Sequence, residues 1–466
     1  MNQKKQLLKN TIIIAIGKLS TQVISFLLLP LYTSKLSTEE FGIYDYLVTL
    51  SIFLLPIITL MMEESMFRFL IDAEDAKTKK KVITATILYT TIGTVIFCIL
   101  AGIIMTVLKY EYTLVFILFI ISNILLGLSN SLARGTGNIK LYSLSNFILG
   151  FSTIVLNILF ILAFKLGATG LLWANTIANS LTAIIVLGKL NVLKYINKKS
   201  FSKKVMGQMI KYSVPLVPNN LSWVIISLSD RIMLKNMMGA SANGIYSVAN
   251  KFPNIVYTCY GFFSTAWKES AARIIKEENK KEYYNSIYKD IKLFLHAIVI
   301  GLIAIMPFAF KLLVKGDYDD AYMYIPILIV SIYYTNMSNF YGGIFAAFKE
   351  TNIMGTTTVI AAIINIVINL IFIPIYGIYA AAFSTLISNW IIYVYRRVKL
   401  RDFIKLKESV NLVYWIILVG TLISYYVNNM ILNIIVFIIV LIYCIYTNKE
   451  FLLGVLQTLK GKRKLN

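Results

Sequence analysis

One histidine, three cysteines and 22 acidic residues in a chain of 466 leave little from which to build a catalytic or metal centre. His296 has no second histidine to join it, and Cys98, Cys259 and Cys444 lie in three separate apolar runs, without the spacing of a zinc site or of a Cys/His nucleophile. No G-x-x-x-x-G-K-[ST] phosphate loop occurs, so ATP hydrolysis within the chain is not expected. Charge itself is scarce, at 14% of residues against 58% apolar. Water-soluble domains are about a quarter charged, so the solvent implied here is the bilayer.

What the chain has in quantity is long apolar runs. A helix of roughly 20 mostly apolar residues satisfies its own backbone hydrogen bonds across about 30 Å of hydrocarbon. Such segments lie near 11–33, 41–66, 82–107, 112–133, 142–164 and 168–188, and after a polar stretch again near 212–238, 244–268, 287–314, 322–346, 353–373 and 377–395. Two more, near 410–428 and 430–447, bring the expected number to fourteen. Lys18 interrupts the first run and no A-x-A-like site follows, so it reads as a retained span rather than a cleaved signal.

Lys and Arg collect in cytoplasmic loops. With the N-terminus inside, 36 basic residues fall in inner segments and 6 in outer ones, while Lys18, Arg231 and Lys251 fall within spans. A miscounted helix would scramble that alternation, so both termini are expected in the cytoplasm. The same bias accounts for most of the net charge of +23 as loops facing anionic lipid. Nucleic acid is therefore not an expected partner.

An internal repeat organises the spans. Leu36-Ser-Thr-Glu-Glu-Phe-Gly42-Ile43-Tyr44 recurs 202 residues later as Met238-Gly-Ala-Ser-Ala-Asn-Gly244-Ile245-Tyr246, and Asn157-Ile-Leu-Phe recurs more loosely as Asn369-Leu-Ile-Phe. Six spans repeating once keep the same orientation, giving an all-α membrane protein of two pseudo-symmetric six-helix lobes plus two C-terminal helices. The expected divisions are a first lobe at 1–190, a basic cytoplasmic linker at 191–211, a second lobe at 212–398, and two appended helices with a basic tail at 399–466.

Polar residues within the spans fall into stripes. Ser247, Lys251, Asn254, Thr258, Gly261, Thr265 and Lys268 follow at alternating steps of four and three, one face of a helix. Asp45, Thr49, Ile52, Pro56, Thr59 and Glu63 occupy the repeat-equivalent positions of the second span. Lys18, Gln22 and Ser25 share a face of the first span and map onto Asn220, Val224 and Ser227, with Asp230 and Arg231 further along. A charge at mid-span costs roughly 2.5–3.5 kcal/mol on insertion scales, so such residues usually face a partner or a wet cavity.

Turning the four stripes inward makes a chamber with Lys18, Arg231 and Lys251 as anion-binding cations. Asp45, Gln22, Glu63, Asn220, Asp230, Asn254 and Lys268 stand on its walls as polar or coupling residues. Blander readings coexist with this one. Lys18 is shallow enough to snorkel to the inner surface, Asp230 and Arg231 could be a pair near the outer end, Glu63 could be interfacial, and His296 could be a packing residue. The tyrosines, Tyr333 and Tyr341 among them, suit packing or an interfacial belt as well as a sugar platform. All eight prolines lie in or at the ends of apolar spans, where they can bend helices.

The opening Asn10-Thr-Ile-Ile-Ile-Ala-Ile-Gly17, Leu29-Pro30, Phe41-Gly-Ile-Tyr44, Asp230-Arg231-Ile-Met-Leu, Gly244-Ile-Tyr-Ser-Val-Ala-Asn-Lys251 and Gly377-Ile-Tyr-Ala-Ala-Ala-Phe-Ser resemble the polysaccharide-exporter branch of the multidrug/oligosaccharidyl-lipid/polysaccharide (MOP) superfamily. Wzx-type flippases are the nearest resemblance, and it implies a MATE-like fold in a bacterial inner membrane. It also implies translocation of undecaprenyl-pyrophosphate-linked oligosaccharide for O-antigen, capsule, lipopolysaccharide or a similar glycan, with membrane lipid and a polysaccharide polymerase as partners. No bond is broken, so no enzyme activity and no cofactor is expected; coupling to a proton or sodium gradient would fall on Asp45 or Glu63. A lipid II flippase or a multidrug exporter shares this layout. A glycan polymerase or ligase would typically carry a large outer loop, whereas the longest loops here are inner.

Overall fold

The computed structural model describes Phe26 and residues 28–195, 200–275, 277–348, 350–407, 411–449 and 453. Every predicted span after the first coincides with helix. The first lies mostly outside the described residues and shows only its end, α1 (Leu29–Lys35), begun by Pro30 where a missing N–H costs nothing.

The second predicted span is two helices, α2 (Thr38–Thr59) and α3 (Met62–Ile71), separated by Leu60 and Met61 with φ of 47° and 54°. Two successive left-handed residues cannot continue a right-handed helix, and Pro56 has already removed a donor one turn earlier. The first half continues through α4 (Ala76–Val107), α5 (Thr113–Gly135), α6 (Ile139–Ile158, extended by a π turn at Leu159–Ala163) and α7 (Gly167–Lys189). Next come α8 (Lys203–Ser213), α9 (Leu216–Met238) and α10 (Ala240–Ile274). The remainder is α11 (Lys280–Leu313), α12 (Ala321–Ala347), α13 (Thr351–Tyr376), α14 (Ile378–Leu400), α15 (Leu412–Val427) and α16 (Met430–Thr447).

Among the described residues nine helices are long and apolar enough to cross a membrane by composition. The spanning-length helices α9, α10 and α12 fall short of that apolarity for physical reasons. Asp230, Arg231 and Lys235 punctuate α9, the polar stripe runs along α10, and α12 is so enclosed that Ser331, Asn336, Phe340 and Tyr341 are all buried. Helices facing lipid look different: α4 leaves Ile96, Ile99, Leu100, Ile103 and Ile104 exposed.

Two compact units divide at Gly244, Met1–Gly244 and Ile245–Asn466, rather than at the polar stretch 191–211. Part of that stretch is itself structured. In α8, Met209 is buried among Met62, Met66, Leu70 and Val82, and its carbonyl accepts a 3.1 Å hydrogen bond from Ser65 Oγ, while Lys203, Lys204 and Lys211 stay exposed. An amphipathic helix buries its apolar side and solvates its lysines, so α8 belongs to the first unit's core.

Within each unit the same packing order recurs. In the first, α7 packs against α5 and α6; in the second, α14 packs against α12 and α13. One hydrogen bond is repeated as well: Asn179 Nδ2 donates to Ser122 Oγ at 3.3 Å, and Asn389 Nδ2 donates to Ser331 Oγ at 2.9 Å. The loosely paired Asn157 and Asn369 are both fully buried, the first donating to Thr153 O at 2.7 Å and the second accepting from Ser384 Oγ at 2.6 Å. Buried amides need partners wherever they lie; Asn157 finds one on its own helix and Asn369 one on α14.

Arg396, counted from sequence with the inner basic loops, is instead buried at 1% exposure. Its Nε donates to Thr357 Oγ1 at 3.0 Å, Nη1 to Ser338 O at 3.0 Å, and Nη2 to Met354 O at 3.2 Å and Thr358 Oγ1 at 3.1 Å, tying α12, α13 and α14 together. The planar guanidinium spans three helices in a way a lysine cannot. Arg396→Lys is expected to destabilise by about 2–4 kcal/mol, since several of these donors vanish while a charge stays buried. A fall in detergent melting temperature and in membrane abundance would register it, and an unchanged melting temperature would contradict it.

Candidate functional site

The polar residues that come together are on α2, α9 and the first turn of α10, all within the first unit. Ser37 starts α2 with a capping box: Ser37 Oγ accepts from Glu40 N at 3.1 Å, and Glu40 Oε2 accepts from Ser37 N at 2.8 Å. That cap fixes the phase of α2 and sends Gly42 and Asp45 to one side. A Cβ placed on Gly42 would lie 1.7 Å from Ala240 O and 2.8 Å from Gly244 N, and one on Gly244 would lie 1.9 Å from Thr38 O. The two glycines related by the 202-residue repeat thus mark one backbone-to-backbone crossing that admits no side chain.

Hydrogen bonds flank the crossing. Thr38 Oγ1 and Ser241 Oγ share one of 2.6 Å, and Asn243 Nδ2 donates to Gly42 O at 2.8 Å. The carboxylate of Asp45 lies behind them. Arg231 Nη1 donates to Asp45 Oδ1 at 2.9 Å, and Asn243 Nδ2 also approaches Asp45 Oδ2 at 3.5 Å. The Asp45 and Arg231 side chains are 8% and 15% exposed, so this is a largely buried ion pair between α2 and α9. One turn on, Lys235 Nζ sits 4.8 Å from the centre of the Tyr46 ring. These are the ends of α2, α9 and α10 that the basic-residue distribution predicts to lie outside.

Arg231 and Asp45, read from sequence as a binding cation and a separate wall or coupling residue, are one interlock. The sequence could offer only Asp230 as the neighbour of Arg231, whereas the partner shown stands 186 residues away. Asp230 is buried and Asn220 half-buried. Lys18 and Gln22 lie outside the described residues. Along the α2 stripe, Thr49, Pro56 and Thr59 are buried but Ile52 is exposed, and Glu63 is half-buried in α3, past the Leu60–Met61 break.

The α10 stripe behaves differently. Ser247 is buried, Lys251 and Thr258 are half-buried, and Asn254, Gly261 and Lys268 are exposed, with open space around a Cβ built on Gly261. This face is therefore buried at its predicted outer end and exposed at its predicted inner end. Tyr333 and Tyr341 are buried, as packing demands. His296 is buried too, stacked on Tyr414 with ring centres 3.6 Å apart. Among the described residues no group of three or more His, Cys, Asp or Glu side chains converges.

Asn243 and the glycine pair were missed as functional residues. The repeat Asn243-Gly244-Ile-Tyr against Phe41-Gly42-Ile-Tyr carried the signal, because a glycine kept in both copies marks a close approach when the copies meet.

Residues 7–268, more than half of the chain, match the model of the polysaccharide biosynthesis protein family. The chain belongs to that family. Residues 215–371 of this family member also match the MatE model. It is 23% identical over 405 residues to the uncharacterized membrane protein MJ1375 of Methanocaldococcus jannaschii, covering 82% of this chain and 95% of that protein. Its fold is similar to that of the lipid II flippase MurJ in an inward closed conformation, with a TM-score of 0.72 at 15% identity, covering 95% of this chain and all of that one. An inward-facing MATE multidrug resistance transporter of the MOP superfamily gives 0.67 at 15% identity, over 83% and 98% of the two chains. This polysaccharide biosynthesis family member is thus a multi-pass membrane protein whose fold is similar to those of that flippase and that transporter.

Proposed function

We propose that this protein is a flippase that moves an undecaprenyl-pyrophosphate-linked oligosaccharide, the repeat unit of a surface glycan, from the cytoplasmic to the outer leaflet of a bacterial inner membrane by alternating access. The observation that carries the reading is the pairing of a shut polar crossing at the predicted outer ends of α2, α9 and α10 with a polar face on α10 that opens toward the predicted inner end. A carrier waiting for cytoplasmic substrate needs that combination. In this reading Lys251 and Lys268 attract the pyrophosphate, Asn254 and Thr258 meet sugar hydroxyls, and the prenyl tail stays in lipid. Flipping needs no bond cleavage, so neither a nucleophile nor a general base has a role. Glu63, beyond the α2–α3 break, is the carboxylate left for ion coupling, since Asp45 is held by Arg231.

Deletion of the gene tests the reading: lipid-linked repeat units should accumulate on the cytoplasmic face and surface glycan should disappear. Normal surface glycan in the deletion strain would count against it. A second test addresses the crossing itself. With Cys98, Cys259 and Cys444 first replaced by serine, Thr38→Cys/Ser241→Cys is expected to form a disulfide on oxidation, because the native hydroxyls touch. Transport should stop on oxidation and return on reduction. Transport that continues in the oxidised, fully cross-linked protein would rule out opening at this place.

A further inference from the structure

We infer that Tyr257, in the middle of α10, is the platform on which a pyranose ring of the transported glycan stacks, with the Asn254 amide beside it for the ring's hydroxyls. Such a platform rests on the flippase reading and adds to it the sugar class that this stretch of α10 holds. Asn254, Tyr257 and Gly261 follow at steps of three and four, so they share one side of the helix, and all three are exposed, Tyr257 at 44%. Val256 and Tyr260, toward the other side, are buried, and the Tyr260 ring lies 5.4 Å from that of Phe263. Of these two tyrosines, three residues apart, Tyr260 serves packing and Tyr257 faces out.

Depth determines what Tyr257 faces. Interfacial tyrosines sit near the ends of spans, where the ring meets lipid and the hydroxyl meets water. Tyr257 stands 17 residues after Ala240 and 17 before Ile274, the ends of α10. At 1.5 Å per residue that is about 25 Å from either end. Hydrocarbon at that level offers a phenol no hydrogen-bond partner, so an exposed tyrosine there calls for a wet face. Its neighbours agree: Asn254 and Lys268 on the same side are exposed polar groups, and Gly261 has open space where a side chain would stand.

The Asn254 amide is kept available. Asn250, one turn earlier, donates to Tyr246 O at 3.0 Å, and Asn146 and Asn157 in α6 likewise donate to carbonyls of their own helix. Asn254 makes no such bond among the described residues. Its backbone carbonyl accepts from Thr258 Oγ1 at 3.0 Å, which leaves Nδ2 and Oδ1 for a ligand. An aromatic face with an amide at its edge fits a pyranose whose hydroxyls are equatorial, because axial C–H bonds make both ring faces apolar while the rim donates and accepts hydrogen bonds. Gly261 leaves room for the ring, and Lys251 lies about 9 Å along the helix, within reach of a pyrophosphate joined to that sugar.

The test uses the full chain in nanodiscs and two probes, undecaprenyl pyrophosphate and undecaprenyl-pyrophosphate-linked N-acetylglucosamine, whose retention is compared by native mass spectrometry. Wild type should retain the glycosylated lipid at least about fivefold better than the bare one. Tyr257→Leu should erase most of that preference, about fivefold, while changing retention of the bare lipid less than about twofold. Tyr257→Phe keeps the ring and should hold the preference within about twofold. Tyr376→Leu, which removes an exposed tyrosine at the end of α13, should leave both lipids as in wild type. Retention of neither lipid by wild type would bring down the flippase reading and the platform together. Equal retention of the two by wild type, a preference untouched by Tyr257→Leu, or equal loss of both lipids in that variant would overturn the platform alone.

Discussion

Arg231→Met will abolish complementation of a flippase deletion and will also lower the amount of protein in the membrane. Removing the guanidinium strands the Asp45 carboxylate, which is 8% exposed and has Asn243 at 3.5 Å as its remaining hydrogen-bond neighbour among the described residues. Breaking a buried pair from one side costs about 3–5 kcal/mol, mostly the unpaired charge left behind. The double variant Asp45→Leu/Arg231→Met removes both charges, so abundance should recover while transport does not. That split separates a gate from a structural brace: recovery of both would make the pair dispensable, and full complementation by Arg231→Met would dispose of the interlock altogether. Lys251→Ala offers the contrast. Half-buried on the face of α10 that opens toward its inner end, Lys251 should be removable without loss of abundance yet with loss of surface glycan.

The contrast between these residues shows what a sequence can and cannot disclose. Apolar length located the helices after the first, because the bilayer punishes any other arrangement of backbone. Stripes on α2 and α10 were visible as periodicity, yet periodicity gives a face and not its surroundings. The same pattern covers a buried seam at Asp45 and Thr49 and an open face at Asn254 and Lys268. The break at Leu60–Met61 has no glycine to announce it, and the burial of Arg396 was hidden in a basic cluster that sequence counts with the inner loops. Pairings over long separations, Arg231 with Asp45 or Asn389 with Ser331, depend on which helices touch, and a single sequence carries no record of that.

Gly42 offers the sharpest test, because its environment is backbone and cannot turn aside. The Cβ of Gly42→Ala would stand 1.7 Å from Ala240 O, so α2 must move away from the first turn of α10. Movement stretches the Asn243 bond to Gly42 O and the Thr38–Ser241 contact together, and overpacking of this kind typically costs about 1–3 kcal/mol. Because that cost falls on the closed crossing, each 1.4 kcal/mol shifts the balance toward the open one about tenfold. Transport by Gly42→Ala should fall at least about fivefold, and Ser241→Cys in its background should react faster with a membrane-impermeant maleimide. Gly244→Ala should match it, since its Cβ would meet Thr38 O at 1.9 Å, whereas Gly102→Ala, with nothing within 4 Å, should be silent. A wild-type rate and unchanged labelling in Gly42→Ala would mean that the repeat-related glycines do not form the outer closure. The reason for keeping glycine in both copies would then have to be sought within each helix alone.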